Sequence, residues 1–454
     1  MNIINPANDE LITTVEADDE RTITNKLDSL REGQKKWAKV SLGERIEIMR
    51  RFSELLQANL ENCASILTRE VGKPLQQSKN EVNGACARIE WLTANAEQSL
   101  KDEWMVKSGP TREKIVYEPL GIVCNISAWN YPYLVGTNVF VPALLAGNAV
   151  IYKPSELSTL TGMEIQKYLH SAGVPENVFQ IAVGAKEVGE LLLEADLDGY
   201  FFTGSYATGK YIYERVSKKM KPCGLELGGK DPLYVTDDIT DTAAIAANTA
   251  DGAFYNNGQS CCSVERIYVH EKVYDAYVAA FLAEVKSYNI GNPLSEGVYI
   301  GALTRKEQPS FLANQVKDAV SKGASVLCGG NVIKAAGNYF EPTVLVNVTH
   351  QMDLMKEESF GPIIGIVKVA DDNAAIALMN DTKYGLTASV YCNNEERAST
   401  IQSQLNAGTV YWNCCDRVSA ALPWSGRKHS GFGSTLSLVG LRAFTQPKAY
   451  HLRS

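Results

Sequence analysis

Ile122-Val123-Cys124-Asn125-Ile126 is a short apolar run, and three more follow it: Ala149-Val150-Ile151-Tyr152, Tyr200-Phe201-Phe202 and Leu233-Tyr234-Val235. Brief runs rich in β-branched and aromatic side chains read as strands buried on both faces. Helical patterns near residues 159–172 and 186–194 fall between them. This alternation predicts an α/β fold, with parallel strands joined by crossover helices in a nucleotide-binding type of sheet. Ligands on such sheets sit beyond the carboxyl ends of the strands. Three of those ends carry polar residues: Trp129-Asn130 after the first, Lys153-Pro154-Ser155-Glu156 after the second and Thr203-Gly204-Ser205 after the third.

Downstream, a helical run near 241–255 leads to the strand Arg266-Ile267-Tyr268-Val269. Strands near 362–369, 388–391 and 409–412 then alternate with helices near 307–322 and 372–380, which predicts a second α/β unit. Upstream, residues 1–20 read as a strand pair around Asn5-Pro6-Ala7-Asn8. Ser41 with Glu44 forms a capping box, and behind it Ile46, Met49, Phe52, Leu56 and Leu60 make one apolar helical face that stops at Gly72-Lys73-Pro74. A further helix is expected over 76–100. Residues 101–119 turn polar and strand-like, and the tail near 444–452 is extended again, so both suit an arm.

Composition narrows the function classes. The 454 residues carry a net charge of −8 with no basic run, which works against nucleic-acid or anionic-membrane binding. Residues 119–152 hold no charged side chain, yet Asn125, Asn130, Pro132, Asn138, Pro142 and Asn148 interrupt the run, so it reads as buried strands and helix rather than a span. The start, Met1-Asn2-Ile3-Ile4-Asn5-Pro6, lacks the pattern of a signal peptide, and the ten cysteines show no framework spacing; a cytoplasmic, reduced protein is expected. The five histidines are scattered and no Cys/His cluster has zinc spacing, so no metal is expected.

One stretch concentrates nucleophilic residues: Phe254-Tyr255-Asn256-Asn257-Gly258-Gln259-Ser260-Cys261-Cys262-Ser263. Cys261 reads as a nucleophile, although a thiol with an ordinary pKa of roughly 8.5 is mostly protonated at neutral pH. The alternative is that both cysteines are small buried hydrophobes. Gly204-Ser205-Tyr206-Ala207-Thr208-Gly209-Lys210 mimics a phosphate loop, but Tyr211 stands where a triphosphatase needs Ser or Thr. A Gly-Ser helix start suits a dinucleotide pyrophosphate better.

Six stretches in order together resemble the aldehyde dehydrogenase superfamily: Ala128-Trp129-Asn130-Tyr131-Pro132, Lys153-Pro154-Ser155-Glu156, Phe202-Thr203-Gly204-Ser205, Leu225-Glu226-Leu227-Gly228-Gly229-Lys230, Asn257-Gly258-Gln259-Ser260-Cys261 and Glu357-Glu358-Ser359-Phe360-Gly361-Pro362. The resemblance implies a Rossmann-like cofactor domain over 1–100 and 120–228, a catalytic α/β domain over 229–430, and β oligomerisation segments at 101–119 and 431–454. It implies that Cys261 attacks an aldehyde, that Asn130 and the Cys261 backbone N–H hold the oxyanion, and that Glu226 activates the water that hydrolyses the thioester. Removing one oxyanion donor typically costs a factor of about 10² to 10³. It further implies an NAD cofactor, with NADP as a second candidate. Lys153 and Glu156 would face the adenosine ribose, Gly204 and Ser205 the pyrophosphate, and Glu358, Phe360 and Trp129 the nicotinamide end. Glu156 accepts hydrogen bonds from ribose hydroxyls but repels a 2′-phosphate, which favours NAD.

For the substrate tunnel the resemblance points to Tyr131, Asn138 and Trp424. Succinic semialdehyde dehydrogenases commonly carry an Arg where this chain has Asn138, so a short or medium aliphatic or aromatic aldehyde is the expected substrate. Arg417 reads as an exposed loop residue, and Cys262 and the pair Cys414-Cys415 as packing. The rivals are a succinic semialdehyde dehydrogenase, an enzyme passing its acyl group to coenzyme A, and a catalytically silent binding or structural protein on this fold. A homodimer or homotetramer is expected.

Overall fold

In the computed structural model, which describes residues 1–453, the strands gather into two large sheets, a small three-stranded one and the antiparallel pair Asn2–Ile4 with Leu11–Thr14. The first large sheet runs in the order Gly431–Phe432, Cys223–Glu226, Gly199–Thr203, Ile122–Ile126, Ala149–Lys153, Phe179–Ile181. All neighbours are parallel except the two-residue edge strand Gly431–Phe432. Ile122–Ile126 comes first in the chain yet lies inside the sheet, because the chain adds strands on one side of it and then returns to add strands on the other. That reversal is a topological switch point, where α/β sheets bind ligands. Ile126 pairs with both Lys153 and Phe202, and Thr203 pairs with Glu226, so four strands end level with one another.

The second sheet runs Ser325–Cys328, Thr343–Val346, Ile363–Val369, Val264–His270, Asp231–Val235, Thr387–Tyr391, Thr409–Trp412. Leu233-Tyr234-Val235, which the sequence pattern groups with the first series, stands here instead, paired with Val264–His270 and Thr387–Tyr391. The strands Cys223–Glu226, Phe179–Ile181 and Thr343–Val346 were not expected, being three or four residues long and too brief to show a period. Thr445–Arg453, Thr111–Pro119 and Glu103–Val106 make the small antiparallel sheet. Of residues 431–454, expected to belong to the arm, Gly431–Phe432 edges the first sheet and helix Ser437–Arg442 packs on helix Leu75–Leu100, leaving Thr445–Arg453 in the small sheet.

The uncharged stretch resolves as a strand, a loop, helix Pro132–Ala146 and a second strand. That helix is apolar all round because it is enclosed on all sides, with residues from Val139 to Leu145 almost inaccessible. Among the described residues no helix is long and apolar enough to cross a membrane. The helix expected to run on to Gly72 is two, Leu42–Ala58 and Leu60–Val71, broken where the Asn59 side-chain amide donates to Leu55 O at 2.8 Å. Ser41 caps the first by accepting from Glu44 N. Gly72 ends the second at φ 77°, where an added Cβ would lie 2.4 Å from Ala302 O.

Candidate active site

Between helix Thr242–Phe254 and strand Val264–His270 the chain makes a tight turn in which Asn256, Asn257 and Gly258 all have positive φ (54°, 59° and 70°). Asn tolerates this region better than other non-glycine residues, and each Asn is held there by its own hydrogen bonds. Asn256 Nδ2 donates to Gln259 O and Asn130 O; Asn257 Nδ2 donates to Ala302 O, and its Oδ1 accepts from Gly301 N at 2.7 Å. At Gly258 an added Cβ would meet Gly361 O at 2.3 Å. Gln259 Oε1 accepts from Thr304 N. The turn presents Cys261 on a fixed frame, half-buried and lining a cavity of about 640 Å³.

Asn130 lines the same cavity and is itself pinned. Its Nδ2 donates to Gln259 O at 3.1 Å, and its carbonyl accepts from Lys73 Nζ at 2.7 Å and Asn256 Nδ2 at 3.1 Å. Lys73 is fully buried, paired with Glu81 and seated 3.8 Å from the Tyr131 ring centroid. Glu81 in turn accepts from Tyr133 N at 2.9 Å. A buried ion pair therefore clamps residues 130–133 against helix Leu75–Leu100. Glu226 ends its strand in the cavity wall, and its Oε2 is buried with no hydrogen-bond partner. Burial pushes this carboxyl well above the usual range, and the nearby charge of Cys261 adds to the effect.

The rest of the cavity wall is drawn from strand ends, from helices Lys186–Glu194 and Tyr206–Val216, and from Arg305 and Gln308. Trp129, Lys153, Glu156, Gly204, Ser205, Glu358 and Phe360 all line it. Lys153 is buried, which lowers its pKa, while Glu156 is exposed at the rim. Ser205 caps helix Tyr206–Val216, accepting from Thr208 N at 3.3 Å. Trp129 and Phe360 meet edge to face with centroids 5.5 Å apart. Glu358 Oε1 accepts from Gly229 N at 3.0 Å, and burial together with the charge of Glu265 pushes its pKa up to about 8. Gly228 makes room for that carboxylate, since an added Cβ would lie 2.3 Å from it. Glu265, paired with buried Lys230, accepts from Ser359 N and Phe360 N and so fixes the loop. Glu357 points away to an exposed pair with Lys383.

Tyr131, Asn138 and Trp424 do not line this cavity. Trp424 and Leu436 pack with Cys262 and Leu386 in a small cluster against which Cys261 also rests. Cys262 is buried, and its Sγ donates to Asp416 Oδ1 at 3.0 Å. Burial raises the Asp416 pKa to about 7. Asn138 Oδ1 accepts from Arg88 Nη1 at 2.9 Å. Sequence reasoning missed Arg88, Asp416 and Lys73; the available signal for Arg88 was a charge within the apolar stripe of Val82, Ala85, Ile89 and Leu92. Arg417 is exposed and Cys415 buried, as expected. Among the described residues no group of His, Cys, Asp or Glu is placed to hold a metal ion.

Comparison with known proteins agrees along the whole chain. The model of the aldehyde dehydrogenase family matches residues 1–450. A glutarate-semialdehyde dehydrogenase of Pseudomonas putida is 33% identical over 448 residues, covering 98% of this chain and 93% of its own. A peroxisomal aminoaldehyde dehydrogenase of Pisum sativum is 32% identical over 457 residues, covering 98% and 91%. The crystal structure of an indole-3-acetaldehyde dehydrogenase complexed with NAD+ superposes with a TM-score of 0.97 at 30% identity, covering 100% of this chain and 93% of that one.

Proposed function

The chain belongs to the aldehyde dehydrogenase family, and from that premise we propose that it oxidises an aldehyde to a carboxylic acid with NAD, by way of a thioester on Cys261 that water hydrolyses. The observation that carries the reading is the convergence of Cys261, Asn130 and Glu226 on one cavity whose wall also holds the strand-end residues. The cavity suits a dinucleotide by its own chemistry. It offers Lys153, Glu156 and Glu358 along its wall, a serine at a helix start, and an aromatic pair.

The Cys261 thiolate attacks the aldehyde carbon, forming a C–S bond while the carbonyl electron pair moves onto oxygen. Asn130 Nδ2 and the Cys261 backbone N–H would donate to that oxyanion. The clamp from Lys73 and Asn256 on the Asn130 carbonyl matters here, because a donor that needs no reorganisation stabilises developing charge best. A bound nicotinamide supplies the acceptor for the hydride that leaves the same carbon. Glu226 then takes a proton from water as its oxygen attacks the thioester, and the thiolate leaves as the acid forms. A carboxyl with a raised pKa and no internal partner suits that task, being basic enough to take the proton and free to turn toward the water. Glu226 also favours water over coenzyme A as the acyl acceptor. Glu156 favours NAD over NADP.

A cytoplasmic setting is part of this reading, supported by ten cysteines that are all unpaired. So is pairing of subunits through the three-stranded sheet, where Met105 and Val106 are exposed. The test is an aldehyde panel with NAD or NADP, with and without coenzyme A, read as reduced cofactor. Oxidation with NAD and no need for coenzyme A is expected; absence of reduced cofactor with every aldehyde would overturn the proposal.

A further inference from the structure

Helix Leu75–Leu100 packs along helix Pro132–Ala146, and Arg88 is the cation in that contact. It is 9% exposed and surrounded by fully buried Ala85, Ile89 and Leu92. Its Nη1 donates to Asn138 Oδ1 at 2.9 Å and to Leu134 O at 3.3 Å. Among the described residues Nε and Nη2 find no acceptor, and neither belongs to the atoms sealed from solvent. Among the described residues no carboxylate lies within ion-pairing distance, and Glu81 is paired with Lys73. The groups that feel its charge are Cys262, Glu81, Cys261 and Tyr131, and the guanidinium does not line the cofactor cavity. Burial lowers its pKa to about 10, which still leaves it charged at neutral pH.

Burying a guanidinium without a counter-charge is unfavourable, and the deficit is relieved when an anion arrives. Asn138 occupies one corner of the fork and leaves free the Nε–Nη2 edge, whose two parallel N–H groups match the two oxygens of a carboxylate. We propose that Arg88 determines specificity by binding a carboxylate at the far end of the aldehyde that Cys261 attacks, so that the substrate class is an ω-carboxy aldehyde. The inference rests on the aldehyde oxidation proposed above and replaces the uncharged aldehyde expected from Asn138 alone. Asp416, the carboxylate that Cys262 contacts, has the opposite sign. Its Oδ1 is already taken up by the Cys262 thiol and the Ser260 hydroxyl, and its charge is partly suppressed near neutrality. The unneutralised charge in this region is therefore positive.

The experiment compares succinate semialdehyde, its methyl ester and an aminoaldehyde of similar length on the wild type and on R88Q and R88K. Gln retains a donor for Asn138, and Lys retains the charge. The wild type is expected to prefer the carboxylate to the ester by about 100-fold in kcat/KM, as loss of a charge-assisted bidentate contact implies. R88Q loses that preference mainly through KM, while the ester falls far less, and R88K recovers part of it. A purely structural Arg88, or one that only tunes the cysteine, would lower all three substrates together, and that result overturns the proposal. So does a wild-type preference for the ester or the amine. Calorimetric binding of glutarate needs no turnover and keeps the two readings separable. Binding by the wild type and not by R88Q supports the carboxylate site even if the reaction proposed above fails, and equal binding by both overturns it.

Discussion

The two sides of Cys261 are built differently. Toward the cofactor cavity, every functional residue follows a strand end or sits in a short polar motif, and the register of Ile126, Lys153, Phe202 and Glu226 brings those motifs level. Beyond the cysteine, Arg88 and Asn138 come from two helices and Asp416 and Trp424 from the single connection between Trp412 and Lys428. The first side is held by backbone hydrogen bonds and buried ion pairs: Asn130 by Lys73 and Asn256, and the Glu358 loop by Glu265. The second is held by side-chain packing and by single contacts such as Arg88 to Asn138 and Cys262 to Asp416. On the proposed function, reaction chemistry belongs to the rigid, motif-built side, and choice of substrate to the side that a few substitutions can remake.

Substitutions at the junction test that division most strongly. Cys261→Ala removes the nucleophile, and steady oxidation should fall by about 10⁴-fold or more, to whatever binding and oxyanion donors alone provide. Reduced cofactor measured in a single turnover is the readout, and a remaining burst would place the nucleophile elsewhere. Glu226→Gln comes next, with steady turnover reduced by about 10² to 10⁴-fold. The burst should survive, because Gln affects only release of the thioester. The same residue sets a pH dependence. Its pKa is raised by burial, so below that value the carboxyl is protonated and cannot take a proton from water. Steady turnover in the wild type should therefore climb with pH through a range above that of ordinary carboxylates, and the climb should vanish in Glu226→Gln. An unchanged climb would assign it to another group.

The same contrast explains what the sequence made legible. Strand ends, the Gly-rich turn at Leu227-Gly228-Gly229 and the Asn257-Gly258-Gln259-Ser260-Cys261 turn are local patterns, and each imposes backbone geometry that neighbours in the chain already specify. Arg88 was not legible as a site because its place in the apolar stripe of Val82, Ala85, Ile89 and Leu92 marks only burial; the crossing of two helices is what shows that it is buried without a carboxylate. The absence of Arg at position 138 was read as weakening a carboxylate-bearing substrate. In space, a guanidinium from the neighbouring helix bonds to that very residue. Short strands such as Cys223–Glu226 escaped for a related reason: four residues show no period, and their partners are what make them strands.

On the cofactor side a smaller effect probes how far rim residues matter. Glu156 is exposed and accepts only from Ser155, so Glu156→Gln removes a charge without disturbing the sheet. Relief of like-charge repulsion at a solvent-facing rim should improve kcat/KM for NADP by about 10-fold, and more at low salt, leaving NAD within a few-fold. Unchanged discrimination at every salt concentration would remove Glu156 from cofactor choice.

The smallest change is expected at Cys262, one residue from the nucleophile. Its thiol donates to Asp416 and is packed by Leu386, Trp424 and Leu436, with no place in the cavity wall. Cys262→Ser keeps a donor for Asp416 and removes little volume, so kcat/KM should stay within about 3-fold and stability within about 1 kcal/mol. If the far side governs specificity rather than chemistry, the small loss should depend on which aldehyde is used, since moving the Asp416 carboxylate alters the field beside Arg88. If instead Cys262→Ser abolished the burst while Cys261→Ser kept it, the thiols would exchange roles and the division between the two sides would fail at its junction.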